Sequence, residues 1–135
     1  MKKKLLFAVC LLFIALRPAW PQFGGQEAAR PRIAARVVPA SGVVEFRFQV
    51  PAGHHITDLK NKFFAIELAR NDWAAVGETV FPAGIPYGEE SVFKGDFGVR
   101  VLLKSLKPVH GPVRLDFIVS FQICQEYPEE LCYPP

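Results

Sequence analysis

Apolar and polar residues alternate with period two in one segment of this chain after another. In Val43–Val50, Val44, Phe46, Phe48 and Val50 fall on one face, while Glu45, Arg47 and Gln49 fall on the other. That is the signature of a half-buried strand. Pro51-Ala52-Gly53 ends it. A second extended piece, His54–Thr57, precedes a Lys/Asn-rich turn, and Phe64, Ile66 and Leu68 then alternate with Ala65 and Glu67. Further on, Phe97, Val99, Val101 and Leu103 alternate with Gly98, Arg100 and Leu102.

Two stretches punctuate this pattern. Phe81–Glu90 holds two prolines and two glycines, and proline has no N–H to give to a ladder, so the stretch reads as a long loop and not a central strand. Lys107–Pro112 reads as a turn, after which alternation runs unbroken from Val113 to Cys124, predicting the longest strand. Its parity puts Val113, Leu115, Phe117, Val119, Phe121 and Ile123 on one face and Cys124 on the opposite, more polar one. Short strands between Pro/Gly turns, without an amphipathic helix, predict an all-β antiparallel β-sandwich spanning residues 32–135.

The N-terminus follows different rules. Lys2, Lys3 and Lys4 precede an uncharged apolar run from Leu5 to Leu16, the order of an export signal and short for a bilayer span. Residues 1–20 are read as the signal, with cleavage between Ala19 and Ala29, and residues 21–31 as a flexible lead-in. An uncleaved anchor is the alternative. Removing residues 1–20 takes four basic residues and no acidic one, leaving twelve Lys and Arg against thirteen Asp and Glu. The basic character of the whole chain therefore belongs to the signal, and no basic patch argues for nucleic acid.

Composition decides the remaining classes. Half of the residues are apolar and 12 are phenylalanine, enough to fill a core in one domain. No G-x-S-x-G elbow and no phosphate-cradling glycine loop is present. Cys10 lies inside the apolar run and leaves with the signal, so Cys124 and Cys132 remain. Two cysteines in an exported protein either pair or are kept reduced. The seven residues between them include Pro128, so a hairpin tip can bring them together; the result is either a structural staple or a reactive pair. No cofactor is expected, and the spacing of Cys124, Cys132 and the histidines matches no common zinc pattern.

Two further groups bear on the cysteines. His54 and His55 point opposite ways on a strand, so one of them at most faces a given site; His55 is the candidate for tuning a thiol, and solvent-facing strand residues are the plain alternative. Glu126, Glu129 and Glu130 read as a solvated loop, and near a thiolate they oppose its ionisation.

Phe121-Gln122-Ile123-Cys124, followed by Leu131-Cys132-Tyr133-Pro134-Pro135, resembles the signature of the N-terminal periplasmic domain of the DsbD thiol:disulfide interchange family. Pro51–Ile56 and Phe81–Gly84 extend the likeness upstream. The resemblance implies an immunoglobulin-like sandwich whose cysteine pair performs protein-disulfide reductase-type exchange. Electrons would come from a membrane-embedded donor and pass to periplasmic thioredoxin-like oxidoreductases. By position, Cys132 would form the interprotein disulfide and Cys124 would resolve it. The family's cap over the disulfide, an acidic pair followed by aromatics, is matched here by Glu89 and Glu90, with Tyr87 or Phe93 as aromatic stand-ins. Seven residues separate the cysteines here, against five commonly in the family.

With no membrane span or thioredoxin-like domain after Pro135, the donor is expected to be a separate protein, or the chain a fragment. Membrane contact is expected only through that partner or an uncleaved signal. The rival reading from another class is a secreted immunoglobulin-like binding module with a purely structural disulfide. A disulfide at the rim favours exchange, and one buried between sheets favours the module.

Overall fold

The computed structural model describes residues 30–38, 40–57 and 63–135. The signal, and the lead-in up to residue 29, lie outside them. Among the described residues eleven strands form: β1 (Arg32–Val38), β2 (Val43–Gln49), β3 (His54–Thr57), β4 (Ala65–Leu68), β5 (Ala74–Val80), β6 (Ile85–Tyr87), β7 (Glu90–Phe93), β8 (Asp96–Ser105), β9 (Phe117–Ser120), β10 (Ile123–Gln125) and β11 (Leu131–Tyr133). They pair antiparallel throughout.

One layer is a four-stranded sheet in the order β1-β2-β8-β5. The opposing layer holds a five-stranded sheet, β11-β10-β3-β7-β6, and the β4-β9 pair. The alternation read from sequence supplies the inner face of the first layer: Val44, Phe46, Phe48, Val99 and Val101 are all buried. Ile56, Phe93 and Ile123 face them from the five-stranded sheet, and Ile66, Phe117 and Val119 from the pair. This is an all-β antiparallel sandwich with its core between the layers.

Aromatic rings carry the centre. Phe48 stacks on Phe97 at 5.0 Å between centroids and meets Phe64 edge-on at 5.3 Å. Phe46 meets Phe117 edge-on at 5.2 Å, tying the four-stranded sheet to the β4-β9 pair. Such pairs add about 0.5–1.5 kcal/mol each beyond the area they bury.

Two sequence expectations need correction. The stretch Val113–Cys124 is not one strand: it divides into β9 and β10, in different sheets, with a break at Phe121-Gln122, and β8 is the longest strand. Pairing persists across the break, because Thr57 N–H donates to the Gln122 carbonyl at 3.1 Å before β4 and β9 take over. Nor is Phe81–Glu90 all loop, since Ile85–Tyr87 forms β6 and hairpins onto β7. β6 is an edge strand, where a proline such as Pro86 is tolerated.

Replacing Phe48, which is wholly buried, by alanine empties the space that holds Phe97 and Phe64 apart. The Phe48→Ala variant is expected to lose about 3–5 kcal/mol, read as a lower urea midpoint with an unchanged slope. A loss under about 1 kcal/mol would mean that the aromatic centre is not structural.

Candidate functional site

Local pairing brings the two cysteines together. β10 and β11 form a hairpin with Ile123 opposite Tyr133, Cys124 opposite Cys132 and Gln125 opposite Leu131. Directly opposed residues project from the same face of a sheet, and the two sulfurs are bonded, with the Cα atoms 4.0 Å apart. Ile123 faces the core, so Cys124 faces the outer side of the sheet, as its parity in the sequence requires.

The two sulfurs have unequal surroundings. Cys124 is 0% exposed, flanked by Cys132 on one side and by His55 of β3 on the other. Cys132 belongs to β11, the last strand of its sheet, and is exposed. Tyr127 in the hairpin loop is also exposed, as is Leu131, which precedes Cys132 on β11 and projects from the opposite face. The disulfide therefore lies on the outer face at a sheet edge, not between the layers.

Beyond Cys124 stands a cluster of polar groups. His55 lies directly opposite Cys124 in the β3–β10 register and is buried, not solvent-facing. Its Nδ1 lies 3.0 Å from Glu126 Oε1, and Lys94 Nζ pairs with the same oxygen. Glu126 is thus ordered and mostly buried, which corrects its reading as part of a solvated loop. Its backbone N–H also donates to the Gly53 carbonyl at 2.8 Å, holding the loop against the β2–β3 turn. Gly53 sits in that turn at φ +73°, a conformation that disfavours any side chain.

The electrostatics follow from this geometry. The hydrogen bond from Lys94, assisted by that of His55, holds the Glu126 carboxyl below the usual carboxylate range against the opposing effect of burial. An ionised carboxylate only accepts hydrogen bonds, so His55 Nδ1 carries the proton in this pair and Nε2 is the remaining basic nitrogen. Tyr87 covers the imidazole with ring centroids 4.5 Å apart, and Lys94 Nζ lies 4.6 Å from the Tyr87 centroid. Partial desolvation raises the Tyr87 phenol above its ordinary value, and the nearby Glu130 and Glu126 charges add to this.

The remaining sequence candidates separate. Glu89 and Glu90 are exposed at the β6–β7 turn, where Gly88 takes φ +62°. Phe93 packs into the aromatic core against Phe64 and Phe97, away from the face that carries Cys124. His54 bonds the Ala52 carbonyl through Nδ1 at 3.1 Å. Lys94 was not singled out in the sequence. Glu126 carried a usable signal, because it stands two residues beyond Cys124 and so shares its face.

The lowered carboxyl makes Glu126 a pH-dependent contributor to stability. Its stabilisation is present above the unfolded-state value and is lost as pH falls through the lower folded-state value. Glu126→Gln is expected to cost about 1.5–3 kcal/mol near neutrality, and the gap between wild type and variant should narrow as the solution is acidified. Urea unfolding at a series of pH values checks this, and a gap that stays constant into acid contradicts it.

Residues 26–135 match the family model described as thiol:disulfide interchange protein DsbD, N-terminal, a span that contains both cysteines, His55, Lys94 and Glu126. A comparison with curated proteins found no match. With its cysteine pair bonded across an edge hairpin and the family match covering most of the chain, the chain belongs to the N-terminal-domain family of the DsbD thiol:disulfide interchange proteins.

Proposed function

We propose that this chain is a periplasmic thiol–disulfide exchange domain that relays electrons from a membrane-embedded reductant to thioredoxin-like oxidoreductases. The family to which it belongs carries thiol:disulfide interchange, and its N-terminal domain is periplasmic. Residues 1–20 act as the export signal, cut between Ala19 and Ala29, and residues 21–31 lead into the domain at 32–135.

The observation that carries this reading is the asymmetry of the disulfide: Cys132 is exposed on an edge strand while Cys124 is fully buried beside it. Reductive loading begins when a donor thiolate attacks Cys132 Sγ. A sulfur–sulfur bond forms between donor and Cys132, the Cys124–Cys132 bond breaks, and its electron pair stays on Cys124. A second donor thiol then displaces Cys132, leaving the donor oxidised and this pair reduced by two electrons.

Discharge is the same chemistry in reverse order. The Cys132 thiolate attacks the oxidised partner's disulfide, and Cys124 displaces the partner from the resulting mixed disulfide. Cys132 is the interprotein thiol because only it is reachable from outside, and Cys124 the resolving one because it can reach only Cys132. Tyr87 acts as the aromatic cover near the pair. Exposed Tyr127, in the loop between the two cysteines, supplies apolar area for a short-lived encounter, the kind that weak redox complexes use.

Equilibration of the chain with thiol/disulfide buffers of known poise tests the proposal. A reduction potential above about −300 mV is expected, in the range of exchange proteins. A markedly lower potential, with thiols released only on denaturation, would instead make the bond a staple and the sandwich a binding module.

A further inference from the structure

The exchange chemistry just proposed leaves one step without a chemical agent. Cys124 is 0% exposed, yet it must lose a proton to attack as a thiolate and regain one when its bond to Cys132 is broken. Water does not reach it, and a thiol removed from water ionises less readily. The required base has to be built into the protein.

The row of opposed residues across the sheet supplies one. Cys132, Cys124 and His55 stand in consecutive strands β11, β10 and β3, each directly opposite the next. Directly opposed side chains have Cβ atoms about 4.5–5.5 Å apart, within reach of an imidazole and a thiol on one face. His55 is 2% exposed, so its basic nitrogen is also shielded from bulk water. We propose that His55 takes the proton from the Cys124 thiol in the resolving step and returns it when Cys124 is the leaving group, with Glu126, anchored by Lys94, as the residue that positions the imidazole. This inference rests on the exchange reading above.

The charges around His55 suit that task. Glu126 and Cys124 face it from the β10 segment, Tyr87 from β6, and Lys94, at the end of β7, reaches it through Glu126. Glu130 and Tyr127 lie further out and act on Tyr87. A lone carboxylate beside a thiol would oppose its ionisation. Here the Glu126 charge is already matched by Lys94, so Glu126 can hold His55 Nδ1 without adding unbalanced negative charge. Proton transfer converts neutral thiol and imidazole into a thiolate–imidazolium pair, and the charge of the cluster is the same before and after.

The resolving step then balances. The Cys124 S–H proton passes to His55 Nε2, and Cys124 Sγ attacks Cys132 Sγ. The Cys124–Cys132 bond forms, and the bond from Cys132 to the partner sulfur breaks with its electron pair on the partner. The imidazolium proton leaves to the departing thiolate or to solvent, and two electrons have moved from the cysteine pair to the partner.

The test needs no protein partner, so its outcome is separate from that of the relay proposal. The reduced chain is mixed with dithiobisnitrobenzoate, an aromatic disulfide that releases one coloured thiolate when Cys132 attacks it and a second when Cys124 resolves the adduct. Both releases are timed between about pH 5 and 9, the range over which imidazole changes charge. His55→Gln is expected to slow the second release by about tenfold or more relative to the first, and to remove its imidazole inflection. Glu126→Gln is expected to slow the second release relative to the first by several-fold, because the imidazole loses the carboxylate that holds its Nδ1, while the first release, made by Cys132, keeps its rate. A second release unchanged in rate and pH profile in His55→Gln overturns the proposal. If circular dichroism shows that His55→Gln does not fold, Glu126→Gln decides, and a second release as fast relative to the first as in wild type overturns the proposal.

Discussion

The pairing of β10 with two neighbours at once is the constraint on which the site depends. On one side β10 takes β11, which sets Cys132 against Cys124; on the other it takes β3, which sets His55 against the same residue. A slip of one residue in either ladder would turn its side chains to the opposite face. The register is held because Ile123 and Ile56, the neighbours of Cys124 and His55, are locked into the core. Burial of apolar groups on the inner face therefore fixes the chemistry on the outer one.

Unequal exposure of the two cysteines follows from the same topology. An edge strand is open on one side, so a side chain on it can share in a cross-strand bond and still meet another molecule. β11 provides that place for Cys132, while β10, a strand inward, keeps Cys124 covered. The hairpin loop also carries Glu126 back over β3, where it meets His55 and Lys94. One short connection thus closes the disulfide and orders the polar cluster beside it.

Much of this was legible in the sequence, and the exceptions have physical reasons. Val44, Phe46, Phe48, Val99 and Val101 announce the core because a half-buried strand must alternate. Cys124 was readable as outward-facing from its parity with Ile123. The break at Phe121-Gln122 left no mark, because alternation continues through a strand that changes partners. β6 was hidden by Pro86, whose missing N–H is harmless only at an edge. Glu126 was misread because His55 lies 71 residues away in sequence, and Lys94 was missed because β7 meets β3 only in the fold. Parity says which way a side chain points, but not what covers it.

Trapping the exchange intermediate tests the central claim most directly. With Cys124→Ser, Cys132 cannot be resolved, so incubating the reduced variant with an oxidised thioredoxin-like oxidoreductase is predicted to yield a stable mixed disulfide, seen by intact mass and mapped to Cys132 by peptide analysis. The Cys132→Ser variant, with only the buried Cys124, is predicted to give none. No adduct on Cys132, or an equal yield through Cys124, would contradict the account.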